Sequence, residues 1–363
     1  MRNSLCLFAV GAVAFSASVV LPTLQLQCES RRPRRAITAR SLPEEPTIEV
    51  IVPAYLEATV IGEKIEELRS ALASQSNALV TVVASDEATA RAAKAADRVL
   101  LGERKGKVAA VNQGVASSQA DIIVLSDANC TIEPPNWPGL LLEEFKRWDL
   151  VSAHKTETRS AEGRFWAFER ATKDRFSAEI GTLSVVGEFV AFRAADFRNL
   201  PQGLILDDLA MAEDFLARGL RPGIASGIST SEHPATALEQ WERRVRIAEG
   251  LFREQVPLVG ALGQSPQGRL FLAHKLYRVT VGAAGFWVAL SALAVGLPLV
   301  GVPLLGIAAV CIAVYRGSLR LPFLPRLLVT VVGLQAVPVA AAIRVLRRER
   351  KVEAAGLWKK IAR

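Results

Sequence analysis

The sequence predicts an α/β domain with a mostly parallel sheet, carried between apolar segments near both ends of the chain. Three observations lead to this reading. From Ile48 onward, short apolar runs alternate with helix-like stretches, the pattern of strands joined by helical crossovers. Residues 5–21 and much of 279–346 are uncharged and apolar, long enough to be read against a bilayer. Basic residues gather beside those runs, at Arg31, Arg32, Arg34 and Arg35 and again from Arg344 to Lys351, as positive charge flanks membrane segments on the cytoplasmic side.

Composition narrows the function classes. Of 363 residues half are hydrophobic, and the formal charge is +8. A basic chain invites nucleic acid as a partner, but this one has no aromatic-interleaved basic patch, so nucleic acid is not expected. The four cysteines, Cys6, Cys28, Cys130 and Cys311, have no metal-ligand spacing and outline no disulfide framework. His154, His233 and His274 are likewise dispersed and read as structural.

In chain order, residues 1–28 are a membrane anchor or targeting segment and 29–47 a basic, proline-containing linker. Three readings compete for the N-terminus: an anchor with its basic flank in the cytoplasm, a cleaved secretory signal, or an organelle presequence of plastid type covering residues 1–40. The α/β domain is expected over 48–255. Its strands are read at 48–54, 79–85, 98–101, 121–126 and 149–153, with an extended pair at 183–193 broken at Gly187. Helices are expected at 57–73, 87–96, 106–117, 160–178, 207–218 and 236–254. Residues 256–278 look like an interfacial amphipathic segment, 279–346 a transmembrane region and 347–363 a basic tail. The charge rule favours two C-terminal crossings, near 279–299 and 327–346, with a broken or re-entrant piece at 303–315 between them.

Chemistry concentrates where a buried strand, DIIVLSDAN from Asp121 to Asn129, stops on Asp127 and Asn129. In open α/β sheets that edge binds ligands, and two oxygen-bearing side chains one residue apart suit a hard cation shared with phosphates. A plain turn fits the same residues. The VPAYLEA and SDEAT segments fall at equivalent strand ends.

Taken in order, VPAYLEA, SDEAT, RKGKVAAVNQG, SDAN, VVGEFVAFR, DDLAMAEDFLARGLRP, QWERR and HKLYR resemble the family 2 membrane glycosyltransferases, which include cellulose, hyaluronan and poly-N-acetylglucosamine synthases. The resemblance covers about residues 48–280. It implies the GT-A fold, a Rossmann-like nucleotide-diphospho-sugar transferase domain, here with N-terminal and C-terminal transmembrane helices. It further implies a nucleoside diphosphate sugar donor, UDP-linked in the family's pattern, a divalent metal, Mn2+ or Mg2+, and a glycan or lipid acceptor. On the donor side it points to Pro53, Glu57, Asp86, Lys107, Asn112, Asp127 and Arg243, with Asp127 and Asn129 as metal ligands. On the acceptor side it points to Gly187, Glu188, Asp207, Gln240 and Arg244, and it makes Asp208 the general base.

Two departures matter. Asn129 stands where the family has a second acid, and Arg244 where it has a tryptophan associated with the acceptor. Transfer of one or a few sugars is therefore expected rather than processive polymerisation. The sequence reading is an inverting, membrane-integral glycosyltransferase with its catalytic domain on the cytoplasmic side. A catalytically weak membrane scaffold that binds nucleotide is the alternative, and a nucleotidyltransferase is disfavoured because no glycine-rich phosphate loop follows the first strand.

Overall fold

The computed structural model describes residues 2–31, 40–156, 171, 174–177, 180–232, 236–321 and 324–347. The expected helix at 160–178 lies largely outside them, as do His233, most of the basic tail and part of the linker. The chain forms two compact units: a helical one from the described residues of 1–33 and 235–350, and a sheet one from those of 34–159 and 167–234.

The sheet unit begins with β1 (Ile48–Ala54), every residue of which is buried. Helix α2 (Ile61–Leu72) lays Ile61, Ile65 and Leu68 into the core that includes Val50 and Val52. Each such side chain withdrawn from water contributes about 1.5–3 kcal/mol. Strands β2 (Ala78–Ala84), β3 (Arg98–Leu101) and β4 (Ile122–Ser126) follow, with α3 (Glu87–Ala92) and α4 (Lys107–Ala116) as crossovers. β3, β2, β1 and β4 are parallel neighbours in that order, so β1, β2 and β4 end at one edge.

The second half is mixed rather than parallel. β5 (Cys130–Glu133), α5 (Trp137–Glu144), β6 (Leu150–Thr156), β7 (Phe189–Arg193), α6 (Asp207–Ala217) and β8 (Pro222–Glu232) complete an eight-stranded sheet of order β3-β2-β1-β4-β7-β6-β8-β5. β7 runs antiparallel to both β4 and β6. Of the expected extended pair at 183–193 only the second arm is a strand. β8 escaped the sequence reading because GIASGISTSE carries little apolar signal. Its Gly223 is required by packing: a Cβ there would lie 2.2 Å from the Trp148 ring. One polar residue inside β1, Glu49, is fully buried and is satisfied by Ser118 Oγ at 2.6 Å, Arg98 at 3.3 Å and the Thr81 hydroxyl.

In the helical unit, α1 spans Arg2–Ser30 and α7 spans Ala237–Gly250, opened by a capping box between Thr236 and Glu239. Continuous apolar helices follow: α8 (Pro266–Gly296), α9 (Pro298–Tyr315) and α10 (Arg326–Leu346). With Asn3–Ser30 of α1, four helices among the described residues are long and apolar enough to cross a membrane. One expectation needs correction here. The piece expected to be broken at 303–315 belongs to the uninterrupted α9, since Pro303 near its start removes one backbone bond without ending the helix. Of the expected interfacial segment 256–278, the part from Pro266 is continuous with the helix that ends at Gly296.

α1 and α8 cross closely. A Cβ on Gly11 would lie 2.5 Å from the Gly285 carbonyl oxygen, and one on Gly285 2.7 Å from that of Gly11. Small residues at such a crossing let two backbones pack without a clash in apolar surroundings. Beyond it, Glu29 is buried and held by Arg269 through two bonds of 2.6 and 2.9 Å.

Candidate active site

The parallel half of the sheet brings the ends of β1, β2 and β4 together, and the reversed β7 adds its own start beside them. Ser126 pairs with Phe189, and the Asp127 amide donates to the Glu188 carbonyl at 3.2 Å. Gly187 therefore stands next to Asp127 although they are far apart in sequence.

Lys107, the first residue of α4, reaches this edge. Its Nζ donates to Asp127 Oδ1 at 2.6 Å and to the Gly187 carbonyl at 3.3 Å, and lies 4.0 Å from Asp207 Oδ2. Burial works against charge on this amine. The carboxylates of Asp127, Asp207 and Asp208 outweigh burial and hold the Lys107 ammonium above its ordinary pKa.

Asp207 and Asp208 open α6, where negative charge suits the helix N-terminus. Asp208 Oδ1 accepts the Leu209 amide at 2.8 Å. A Cβ on Gly187 would come within 3.3 Å of Asp208 Oδ2, so the glycine leaves room for that carboxylate. Lys107, Asp127, Gly187, Asp207 and Asp208 thus form one group.

The other expected residues have structural partners of their own. Asp86 at the end of β2 caps α3, with Oδ1 accepting the Thr89 amide at 2.9 Å. Its Oδ2 accepts the Leu56 amide and the Thr89 hydroxyl, both at 2.7 Å. Burial alone would raise its pKa, yet these donors hold the carboxyl below its ordinary value. The contact fixes the turn after β1, where Leu56 adopts a positive φ of 57° and the Glu57 amide donates to Thr89 Oγ1 at 2.9 Å. This turn delays α2 to Ile61. Pro53 is buried within β1. Both ends of the Asn112 amide bind the Leu200 backbone, at 2.9 and 3.0 Å, tying α4 to the loop before α6.

Glu188 directs its side chain into the sheet. It is 2% exposed, pairs with Lys155 and accepts the Thr230 hydroxyl at 2.8 Å, while Lys155 also meets Glu232 at 2.6 Å. Lys155 and Glu232 were not anticipated, because their partnership depends on the unread β8. Arg104 was also missed, although it belongs to the RKGK segment. Its guanidinium lies 5.8 Å from the centre of the Tyr55 ring at the same edge. Cys130 is buried beneath Asp127, and burial pushes its thiol up to about 12, so it is no nucleophile. His154 pairs with Asp174 at 3.0 Å, in keeping with a structural role.

Gln240, Arg243 and Arg244 lie on α7 in the helical unit. There Arg244 stacks over Tyr315 at 5.4 Å and Arg316 over Trp241 at 5.1 Å, while Glu242 pairs with Arg344 at 2.6 Å.

A metal would have to use a sparse donor set. Among the described residues, no three His, Cys, Asp or Glu side chains converge on one point. Asn129 nevertheless offers a telling atom: its Oδ1 is buried without a hydrogen-bond partner. A lone buried acceptor is costly unless something meets it, and an amide oxygen two positions from a carboxylate fits a hard cation. Asp127 and Asn129 are therefore compatible with a divalent ion that takes its remaining ligands from a diphosphate.

Comparison with known proteins bears on the fold. Residues 49–200 match the model of glycosyl transferase family 2. No curated protein matches the chain. Among solved structures, a mannosyltransferase from Pyrobaculum calidifontis, in complex with GDP-Man and Mn2+, is similar at 21% identity and a TM-score of 0.70. It covers 95% of this chain and 100% of its own. Mannosyl-3-phosphoglycerate synthase from Rubrobacter xylanophilus is 14% identical with a TM-score of 0.42, over 61% of this chain and 76% of its own. Glucosyl-3-phosphoglycerate synthase from Mycobacterium tuberculosis, with Mn2+ and UDP, gives 20% and 0.42, over 61% and 86%. Residues 49–200 thus match the glycosyl transferase family 2 model, and the sheet unit has the GT-A-like mixed α/β fold.

Proposed function

We propose that the protein is a membrane-bound inverting glycosyltransferase that moves a sugar from a nucleoside diphosphate sugar to the hydroxyl of a glycan or lipid acceptor. The observation that carries this reading is the grouping of Asp208 with Asp127 and Lys107 around Gly187. Asp127 and Asn129 would hold a divalent cation, which when bound neutralises charge on the donor diphosphate. The Lys107 ammonium supplies a further positive charge at the same edge, and Asp208 is the general base.

Asp208 takes the proton of the acceptor hydroxyl as its oxygen bonds to the anomeric carbon. The bond from that carbon to the diphosphate oxygen breaks, and the electron pair leaves with the diphosphate. Attack from the opposite face inverts the centre. Arg243 is assigned the leaving diphosphate by resemblance alone, where a guanidinium fork suits phosphate oxygens. The deciding variant is Asp208→Asn in the full chain. Donor binding should persist while transfer falls by about a hundredfold or more, and normal turnover would remove Asp208 from the base position.

Membrane attachment is supported by the four apolar helices, and retention of the N-terminal helix by its Gly11–Gly285 crossing with α8. A cytoplasmic catalytic domain is supported by the basic residues Arg31, Arg32, Arg34 and Arg35 that follow the N-terminal apolar run. A scaffold of weak activity is favoured by one feature, the amide of Asn129 in place of an acid. A panel of nucleotide sugars with Mn2+ or Mg2+, scored by released nucleoside diphosphate, separates the two, since a scaffold releases none.

A further inference from the structure

Within the candidate site, Lys107 occupies a place that is chemically unusual for a lysine. Its Nζ is surrounded by oxygens: Asp127 Oδ1 at 2.6 Å, the Gly187 carbonyl at 3.3 Å and Asp207 Oδ2 at 4.0 Å. Hard cations prefer such a set of carboxylate and carbonyl oxygens. Asn129, with its unpartnered buried Oδ1, lies two residues beyond Asp127 on the same turn.

We propose that Lys107 is a built-in competitor of the divalent metal: its ammonium and the metal claim the same Asp127 carboxylate, so metal loading requires Lys107 to move away. This rests on the metal-dependent reading above and adds to it a determinant of metal affinity.

The physical argument is one of charge. Two cations held within about 4 Å of one another repel strongly at a partly buried site. Asp127 is the one acid of the SDAN element, since Asn129 contributes an oxygen but no charge. A single carboxylate engaged by an ammonium has little attraction left for a second cation. The displaced ammonium has a destination that restores its pairing, because the metal arrives with a diphosphate whose oxygens accept from Lys107 instead. Metal affinity should accordingly be weak alone and rise with the nucleotide. A surface ion pair would have no such consequence. Here the oxygens around Nζ come from three elements, the SDAN turn, the start of β7 and the start of α6, so the ammonium also bridges donor-side and acceptor-side acids.

The test uses the full chain with Mn2+ alone, free Mn2+ being read by electron paramagnetic resonance without nucleotide or sugar. Lys107→Met removes the charge at similar length and should bind Mn2+ at least about tenfold more tightly than the wild type. Lys107→Arg keeps a cation and should bind no more tightly than the wild type. Asp127→Asn should lose the tight binding in the Lys107→Met background. Mn2+ binding by Lys107→Met that is equal to or weaker than wild type overturns the competition. Failure of both wild type and Lys107→Met to bind Mn2+ even after a nucleoside diphosphate is added overturns the metal-dependent reading as well. A second measurement needs no substitution: the rate of acetylation of Lys107 in the wild type, followed by mass spectrometry. Mn2+ should accelerate it, and unchanged or slowed labelling overturns the proposal.

Discussion

Replacing Asp86 by alanine separates two roles that one carboxylate could have. The family resemblance gives Asp86 to the donor nucleoside, whereas its hydrogen bonds show it holding the protein's own backbone. Asp86→Ala removes the cap on α3, a loss of about 1 kcal/mol. It also strips the Leu56 amide of its acceptor at 2.7 Å, leaving a donor that costs about 1–3 kcal/mol if it finds no water. Leu56 is then free to leave its positive φ, which the contact helps to maintain. The sum is about 2–4 kcal/mol. At about 2–4 °C per kcal/mol for a unit of this size, the sheet unit should melt several degrees lower.

The assay pairs thermal unfolding of the full chain with the donor KM. Both should worsen together, because the turn after β1 carries Tyr55, whose ring meets Arg104, and Glu57, which the family resemblance gives to the donor. A raised KM with unchanged unfolding would refute the backbone-holding role and leave Asp86 as a direct contact to the nucleoside. The pH dependence follows from the lowered folded pKa: the stability from Asp86 is complete above the ordinary carboxylate value and is lost as pH falls through the lowered one. The gap between wild type and Asp86→Ala should therefore shrink in acid, and a gap constant through that range would refute the charged-acceptor account.

Two further predictions follow from residues away from the chemistry. Glu188→Gln should cost about 2–3 kcal/mol in urea unfolding, because it weakens the buried pair with Lys155. An unchanged unfolding midpoint with a raised acceptor KM would instead place Glu188 in contact with the acceptor. Gly11→Leu should destabilise the helical unit by about 1–3 kcal/mol or more, since its side chain would drive into the Gly285 backbone. Thermal unfolding in detergent checks this, and unaltered stability would mean that α1 is no fixed part of the unit.

The parallel half of the sheet was legible because it is buried on both faces, so β1, β2 and β4 read as apolar runs bounded by polar turns. The mixed half was legible only in β6 and β7, and its outer strands were not. β5 has four residues and β8 alternates with serine and glycine, so neither carries a hydrophobic signature, and their place depends on partners distant in sequence. The candidate site inherits this division. Asp127, Lys107 and the Asp207–Asp208 pair were readable as motifs, but only the reversed course of β7 places Gly187 between them. The backbone and buried contacts of Asp86, Asn112 and Glu188 were hidden for another reason. A polar side chain at a strand or helix end serves a ligand or its own backbone equally well in sequence, and only its hydrogen-bond partners tell these apart.

The same distinction bears on Asn129, the departure from the family pattern that first suggested a weakened enzyme. Had its amide been tied at both ends, as that of Asn112 is, the strand end would have been a closed turn. Its Oδ1 is instead buried and unpartnered. A turn built only for structure gains nothing from an orphaned acceptor, which costs about 1–3 kcal/mol, whereas a ligand site recovers that cost on binding. On the proposed reading, loss of one negative charge lowers metal affinity without abolishing the site. With the Lys107 ammonium on the remaining carboxylate, such an edge would take a metal together with a diphosphate rather than keep it permanently.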